Sequence, residues 1–164
     1  MNTCVAYFSK SGNTEIAAEY LAEKIGATAI ALKDGTTYKG VLGFVKGGMN
    51  ASLAKKAKLN DTIFEQIAKF ERIVLATPVW AGKTTPAINA VLENVDFTGK
   101  QVYVMTMQAD PDCKDADKRE EFYKEVITEK NGEFKALFAM FGNAPGKLTA
   151  REEIVKRVDE TVKL

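Results

Sequence analysis

Five short runs of β-branched and aromatic residues, each followed by a turn or a stretch of helical period, constrain the fold of this chain most strongly. The runs are Thr3–Phe8, Thr28–Leu32, Ile73–Thr77, Val102–Thr106 and Phe134–Phe141. They are almost continuously apolar rather than alternating, the pattern of strands buried on both faces. Between and after them lie helical segments: Asn13–Ile25, with Ile16, Tyr20 and Leu21 on one side, then Thr62–Phe70, Pro86–Asn94, Asp115–Glu129 and Arg151–Val162. In the last of these Ile154, Val155 and Val158 face one way. Start signals agree with this division. Thr62-Ile-Phe-Glu65 and Thr149-Ala-Arg-Glu152 have capping-box spacing, and Thr85-Pro86 sets a hydroxyl before a proline at the first helical position. Apolar strands alternating with helices predict a three-layer, doubly wound α/β domain on a five-stranded parallel sheet. With 164 residues, the chain has the length of one such domain, so residues 1–164 are read as a single unit.

One stretch resists the pattern. Lys33–Leu59 is too long and too rich in Gly and Lys for a simple connection, and it holds six lysines against one aspartate. Tyr38–Val45 suits a short helix that Gly47-Gly48 would break. The segment reads either as a solvated cover over the sheet edge or as a flap over a bound ligand or an acidic partner.

Composition narrows the chemistry. The chain has no histidine, which removes Ser-His and Cys-His nucleophile pairs, His-containing zinc sites and histidine acid/base catalysis together. Lys+Arg 23 against Asp+Glu 22 gives a net charge of +1, far from the basic surface that a polyphosphate partner requires, so nucleic acid is not expected. Cys4 and Cys113 are the only cysteines and lie far apart, so a disulfide framework is not expected and a reducing cytoplasm is the natural setting. Cys4 lies within the first strand and reads as a small hydrophobe. Cys113, among Asp110, Asp112 and Asp115, reads as an inert thiol. The first residues contain no basic region and only a short apolar stretch, and no run approaches the length of a membrane span; neither export nor a transmembrane segment is expected.

In an open parallel sheet, ligands bind where the carboxyl ends of the strands meet the following loops. The first such loop is Ser9-Lys10-Ser11-Gly12-Asn13-Thr14. Backbone N–H groups at a helix start, a glycine permitting close approach, and side-chain donors from Ser9, Ser11, Asn13 and Thr14 suit a phosphate. The same residue types also populate ordinary tight turns. Neither G-x-G-x-x-G nor the P-loop pattern is present, which favours a mononucleotide monophosphate over ATP or NAD. The second loop, Thr77-Pro78-Val79-Trp80-Ala81-Gly82-Lys83-Thr84-Thr85-Pro86, holds the only tryptophan, placed either to cover a planar ring or to plug the loop from below. The third, Thr106-Met107-Gln108-Ala109-Asp110, could offer hydrogen bonds to a ring's polar edge, although Asp110-Pro111 also reads as a helix cap.

Strand, S-x-S-G-N-T and helix, followed about sixty residues later by strand and T-P-V-W-A-G, resembles the flavodoxin family over nearly the whole chain. The resemblance is to its short-chain branch. It implies a flavodoxin-like fold with strand order 2-1-3-4-5 and FMN as cofactor. Ser9, Ser11, Gly12, Asn13 and Thr14 then stand at the phosphate loop, Pro78 to Gly82 at the flavin-flanking loop, and Thr106 to Asp110 at the third flavin loop. Lys10 and Lys83 fall in the two ligand loops. An ammonium roughly 6 Å from the ring would raise its reduction potential by order 100 mV if pointing inward, at about 3 kcal/mol for an effective dielectric near 20. The chain departs from the family pattern in its near-neutral charge and in a third loop without an aromatic, so a very low potential is not expected. The resemblance implies an electron-transfer flavoprotein serving a redox partner protein. The alternative is an FMN-dependent NAD(P)H or quinone oxidoreductase acting on a small aromatic or quinone acceptor at the same site. A binding or oligomerising module that has lost its ligand is a third possibility, and the oligomeric state stays open.

Overall fold

The structure is a computed structural model and describes residues 1–33 and 56–164. The expected helix at Tyr38–Val45 and its break at Gly47-Gly48 lie outside the described residues, as does most of Lys33–Leu59. In chain order the elements are β1 (Thr3–Tyr7), α1 (Asn13–Ile25), β2 (Thr28–Ala31), α2 (Asp61–Ala68), β3 (Arg72–Pro78), α3 (Pro86–Asn94), β4 (Gln101–Gln108), α4 (Ala116–Glu129), β5 (Glu133–Phe141) and α5 (Arg151–Thr161). Every strand pairing is parallel and the order across the sheet is β2-β1-β3-β4-β5. This is the α/β architecture with the 2-1-3-4-5 order expected of a flavodoxin-like chain.

Both faces of the sheet are buried, which explains why the strands lack polar alternation. Cys4 and Ala6 of β1, Ile73 and Leu75 of β3, and Val102 and Val104 of β4 pack under α2, α3 and α4. Their neighbours Val5, Tyr7, Val74, Ala76, Met105 and Met107 point the other way, toward α1 and α5. Successive side chains alternate between two apolar layers, so one strand needs apolar residues at every position. Cys4 is fully buried, and burial pushes its thiol up to about 12. Among the described residues no helix is long and apolar enough to cross a membrane.

Helix starts differ from the sequence expectation in instructive ways. The first residue outside α2 is Asn60, whose side chain accepts from Thr62 N–H at 3.1 Å; Thr62 is inside the helix and caps nothing. At α5 the N-cap is Ala150, because the Thr149 hydroxyl donates instead to Gly142 C=O at 2.7 Å. Thr85 does precede Pro86 as expected, but its hydroxyl pairs with Thr77 Oγ1 at 3.0 Å rather than capping α3. α4 begins after Asp115, not at Asp110-Pro111. The Thr85 and Thr149 hydroxyls are taken by partners outside their own helices, and such competition is invisible to a local pattern.

Between β1 and β3 the winding direction reverses, since β2 flanks β1 on one side and β3 on the other. That reversal opens a crevice at the carboxyl ends of the strands.

Candidate functional site

The first loop turns at Gly12, whose φ of +98° is a left-handed conformation that side chains resist. A Cβ at this position would also stand 3.0 Å from Leu148 Cδ1. Ser9 Oγ accepts from Gly12 N–H at 3.1 Å, so this hydroxyl shapes the loop from within. α1 then starts with no side-chain cap, leaving its opening N–H groups without a local acceptor. Asn13 is spent differently from the expectation. Its Nδ2 donates to Gly142 C=O at 3.2 Å and to Lys147 C=O at 2.8 Å, while Oδ1 accepts from Thr149 N–H at 2.8 Å. The side chain clamps the β5–α5 loop and has no donor left for a ligand; only the Asn13 backbone retains that role.

The second loop is a tight turn. Trp80 N–H donates to Lys83 C=O at 3.0 Å and Lys83 N–H returns to Trp80 C=O at 2.9 Å, with Ala81 at φ +50° and Gly82 at φ +74°. Two positive φ values at the centre are the signature of a type I′ turn. The Trp80 ring is turned inward, 8 % exposed, edge-on to Phe8 with centroids 5.3 Å apart. Lys10 Nζ lies 5.7 Å from its centroid, and burial lowers the pKa of that ammonium. Here Trp80 plugs the loop rather than offering a free face to a ring.

The third loop continues β4. Val79 N–H donates to Met107 C=O at 2.8 Å, tying the second and third loops together. Gln108 is buried; Arg119 Nη2 donates to its Oε1, while its Nε2 has no partner among the described residues. Asp110 closes its own turn, accepting from Asp112 N–H and Lys114 N–H, each at 3.1 Å. Cys113 is half-buried, and burial pushes its thiol up, so the expectation of a quiet thiol agrees with its surroundings.

One cavity draws on all three loops. Lys10, Ser11, Asn13 and Thr14 line it from the first, Pro78, Val79 and Trp80 from the second, and Met107, Gln108 and Ala109 from the third. Ser9, Gly12, Thr77, Ala81, Gly82, Lys83, Thr106 and Asp110 do not line it. Thr77 and Thr106 are fully buried, and Gly82 and Lys83 face a different hollow. A fourth loop, Gly142 to Gly146, forms the remaining wall. The sequence reading missed it, although a Gly-Asn-Ala-Pro-Gly run directly after the fifth strand must fall on the same sheet edge.

The residues fit a flavin mononucleotide unequally along its length. At one end an uncapped helix start, Ser11 and Thr14 provide donors suited to a phosphate. At the other, the orphaned Gln108 Nε2 is a buried donor suited to a polar ring edge. The cavity of about 70 Å³ has room for the phosphate but not for a tricyclic ring, since small-molecule sites span roughly 300–1,000 Å³. The ring would need the Trp80–Lys83 turn to swing outward.

A flavodoxin family model matches residues 2–137. No curated protein matches the sequence. Among solved structures, a candidate flavoprotein from Bacteroides uniformis superposes with a TM-score of 0.72 at 20% identity, covering 96% of this chain and 97% of its own. Flavodoxin 2 from Bacillus cereus gives 0.58 at 18% identity, covering 98% of this chain and 94% of its own. An NAD(P)H:quinone oxidoreductase from Methanothermobacter marburgensis gives 0.63 at 10% identity, covering 98% and 93%. At such identities the superpositions speak for the fold, and the family match for descent: this chain belongs to the flavodoxin family.

Proposed function

We propose that the chain binds FMN and works as an electron-transfer flavoprotein. The observation that carries this reading is the convergence of three strand-to-helix loops of a flavodoxin-family chain on one cavity whose phosphate end is an uncapped helix start. When bound, FMN supplies one- and two-electron transfer, and no catalytic side chain is required. The backbone N–H groups opening α1, with the Ser11 and Thr14 hydroxyls, hold the phosphate dianion. Gln108 Nε2 meets a polar edge of the ring, and Met107 and Val79 exclude water from it. Lys10, in the cavity wall, favours negative charge there, whereas Lys83 lines the neighbouring hollow.

A cytoplasmic redox partner protein fits this reading. A second reading, NAD(P)H or quinone reduction at the same site, is favoured by the net charge of +1 and by a third loop with no aromatic to shield the ring. The name of the Methanothermobacter marburgensis neighbour points the same way.

A visible spectrum of the purified protein with an FMN titration tests the cofactor; a colourless protein that refuses FMN overturns both readings. Stopped-flow mixing of the loaded protein with NADPH then separates them. Loss of flavin absorbance without an added reductase marks an enzyme, and inertness marks a carrier.

A further inference from the structure

A second hollow lies on the far side of the Trp80–Lys83 turn, between Gly82–Thr84, Asn89 at the start of α3, and the first two turns of α4. Its volume of about 400 Å³ lies within the range of small-molecule sites, roughly 300–1,000 Å³. The Phe122 and Tyr123 rings give it an apolar wall, and Lys118, Arg119 and the Asp115 carboxylate at the start of α4 contribute charged groups. That carboxylate is already ion-paired with Lys118 at 2.6 Å.

Arg119 is 7 % exposed. Its Nη2 donates to Gln108 Oε1 and, at 2.9 Å, to Lys114 C=O, but both acceptors are neutral and Nε has no partner among the described residues. Asp115, paired with Lys118, acts on Arg119 through space without bonding it, and a guanidinium out of water gains strongly from an anion that bonds it directly. Two more buried hydroxyls in the same wall, Thr84 and Tyr123, 8 % and 1 % exposed, have no well-formed hydrogen bond beyond their own mutual approach. Burial pushes the Tyr123 phenol up to about 12, with Thr84 and Arg119 pulling the other way, so it remains a donor at neutral pH.

We infer that this hollow is a binding site for a small aromatic carboxylate, separate from the phosphate-lined cavity. Its carboxylate pairs with Arg119, its ring rests on Phe122 and Tyr123, and a polar ring substituent meets Thr84 and Tyr123. A neutral or cationic ligand would leave the guanidinium without a directly bonded anion.

The test is calorimetric titration of the full chain with 4-hydroxybenzoate and with its neutral counterpart 4-hydroxybenzamide. The acid is expected to bind at least about tenfold more tightly, and Arg119→Gln to erase that preference. Tyr123→Phe and Thr84→Val preserve shape and should each weaken the acid by about threefold or more, which keeps the test decisive if Arg119→Gln does not fold. Equal binding of acid and amide, or no saturable binding by about 10 mM, overturns the inference. Loss of acid binding in the presence of saturating FMN also overturns it, by making the hollow part of the flavin site.

Discussion

The carboxamide of Asn13 holds three partners at once, all in the segment Gly142–Thr149 and all within 3.2 Å. It is the bolt between the opening of α1 and the loop that precedes α5. Each such bond contributes about 1 kcal/mol net when its partners are buried, so Asn13→Ala is expected to destabilise the fold by about 2–3 kcal/mol. Urea unfolding checks this. A loss below 0.5 kcal/mol, on the order of surface noise, would show the clamp to be slack. Cys4 makes a different prediction, in pH. Burial raises its folded pKa to about 12 from an unfolded value near 9, so the folded state holds a proton that the unfolded chain releases. The stability gained from keeping the thiol neutral is complete below pH 9 and is lost as pH climbs from 9 toward 12. Its slope is at most about 1.4 kcal/mol per pH unit. In Cys4→Ala that portion of the alkaline decline should vanish, as read from denaturant midpoints across the same pH interval.

Elements show where local rules hold and where they give way. α1 begins on Gly12 because the chain must turn left-handed there, and the helix is left uncapped as a result. Gly12→Ala should cost about 1–2 kcal/mol of stability from backbone strain. It should also weaken FMN by distorting the N–H groups behind it; unchanged affinity in a fluorescence titration would move the phosphate elsewhere. The sequence made this start readable, since a strand, a Ser/Gly/Asn/Thr loop and a helical period have few alternative meanings. Among the described residues, the five strands and five helices lie where periodicity puts them, to within one or two residues at each end. Caps were less legible. Thr149 looked like an N-cap by spacing, yet Gly142 C=O reached it first, and Asn13 looked like a ligand donor until three distant backbone groups claimed it. Both side chains are spent for one reason: short polar groups bond to whichever partner the tertiary fold brings within reach, and sequence spacing reports only the near candidates. Sequence left Trp80 between a ring cover and a plug for a similar reason, because Phe8, at the end of β1, has no sequence proximity to it.

At the scale of the molecule, the site belongs to no single element. Four loops from β1, β3, β4 and β5 meet at one edge of the sheet, and α1 on one face and α3 and α4 on the other begin there. A ligand that bridges these loops therefore draws on both core layers, and its binding energy adds to the stability of the entire fold by mass action. FMN at 100 times its Kd should stabilise the native state by about 2.7 kcal/mol, which for a chain of this length raises Tm by roughly 5–10 °C. Riboflavin has the same ring without the phosphate. If the opening N–H groups of α1 are the principal anchor, riboflavin at the same concentration should shift Tm by far less, because the interaction with that helix start is missing. Differential scanning calorimetry of the flavin-free protein with each compound reads the difference directly. Equal shifts would mean that the ring supplies the affinity, that the Trp80–Lys83 turn opens at little energetic cost, and that the uncapped start of α1 serves the fold alone.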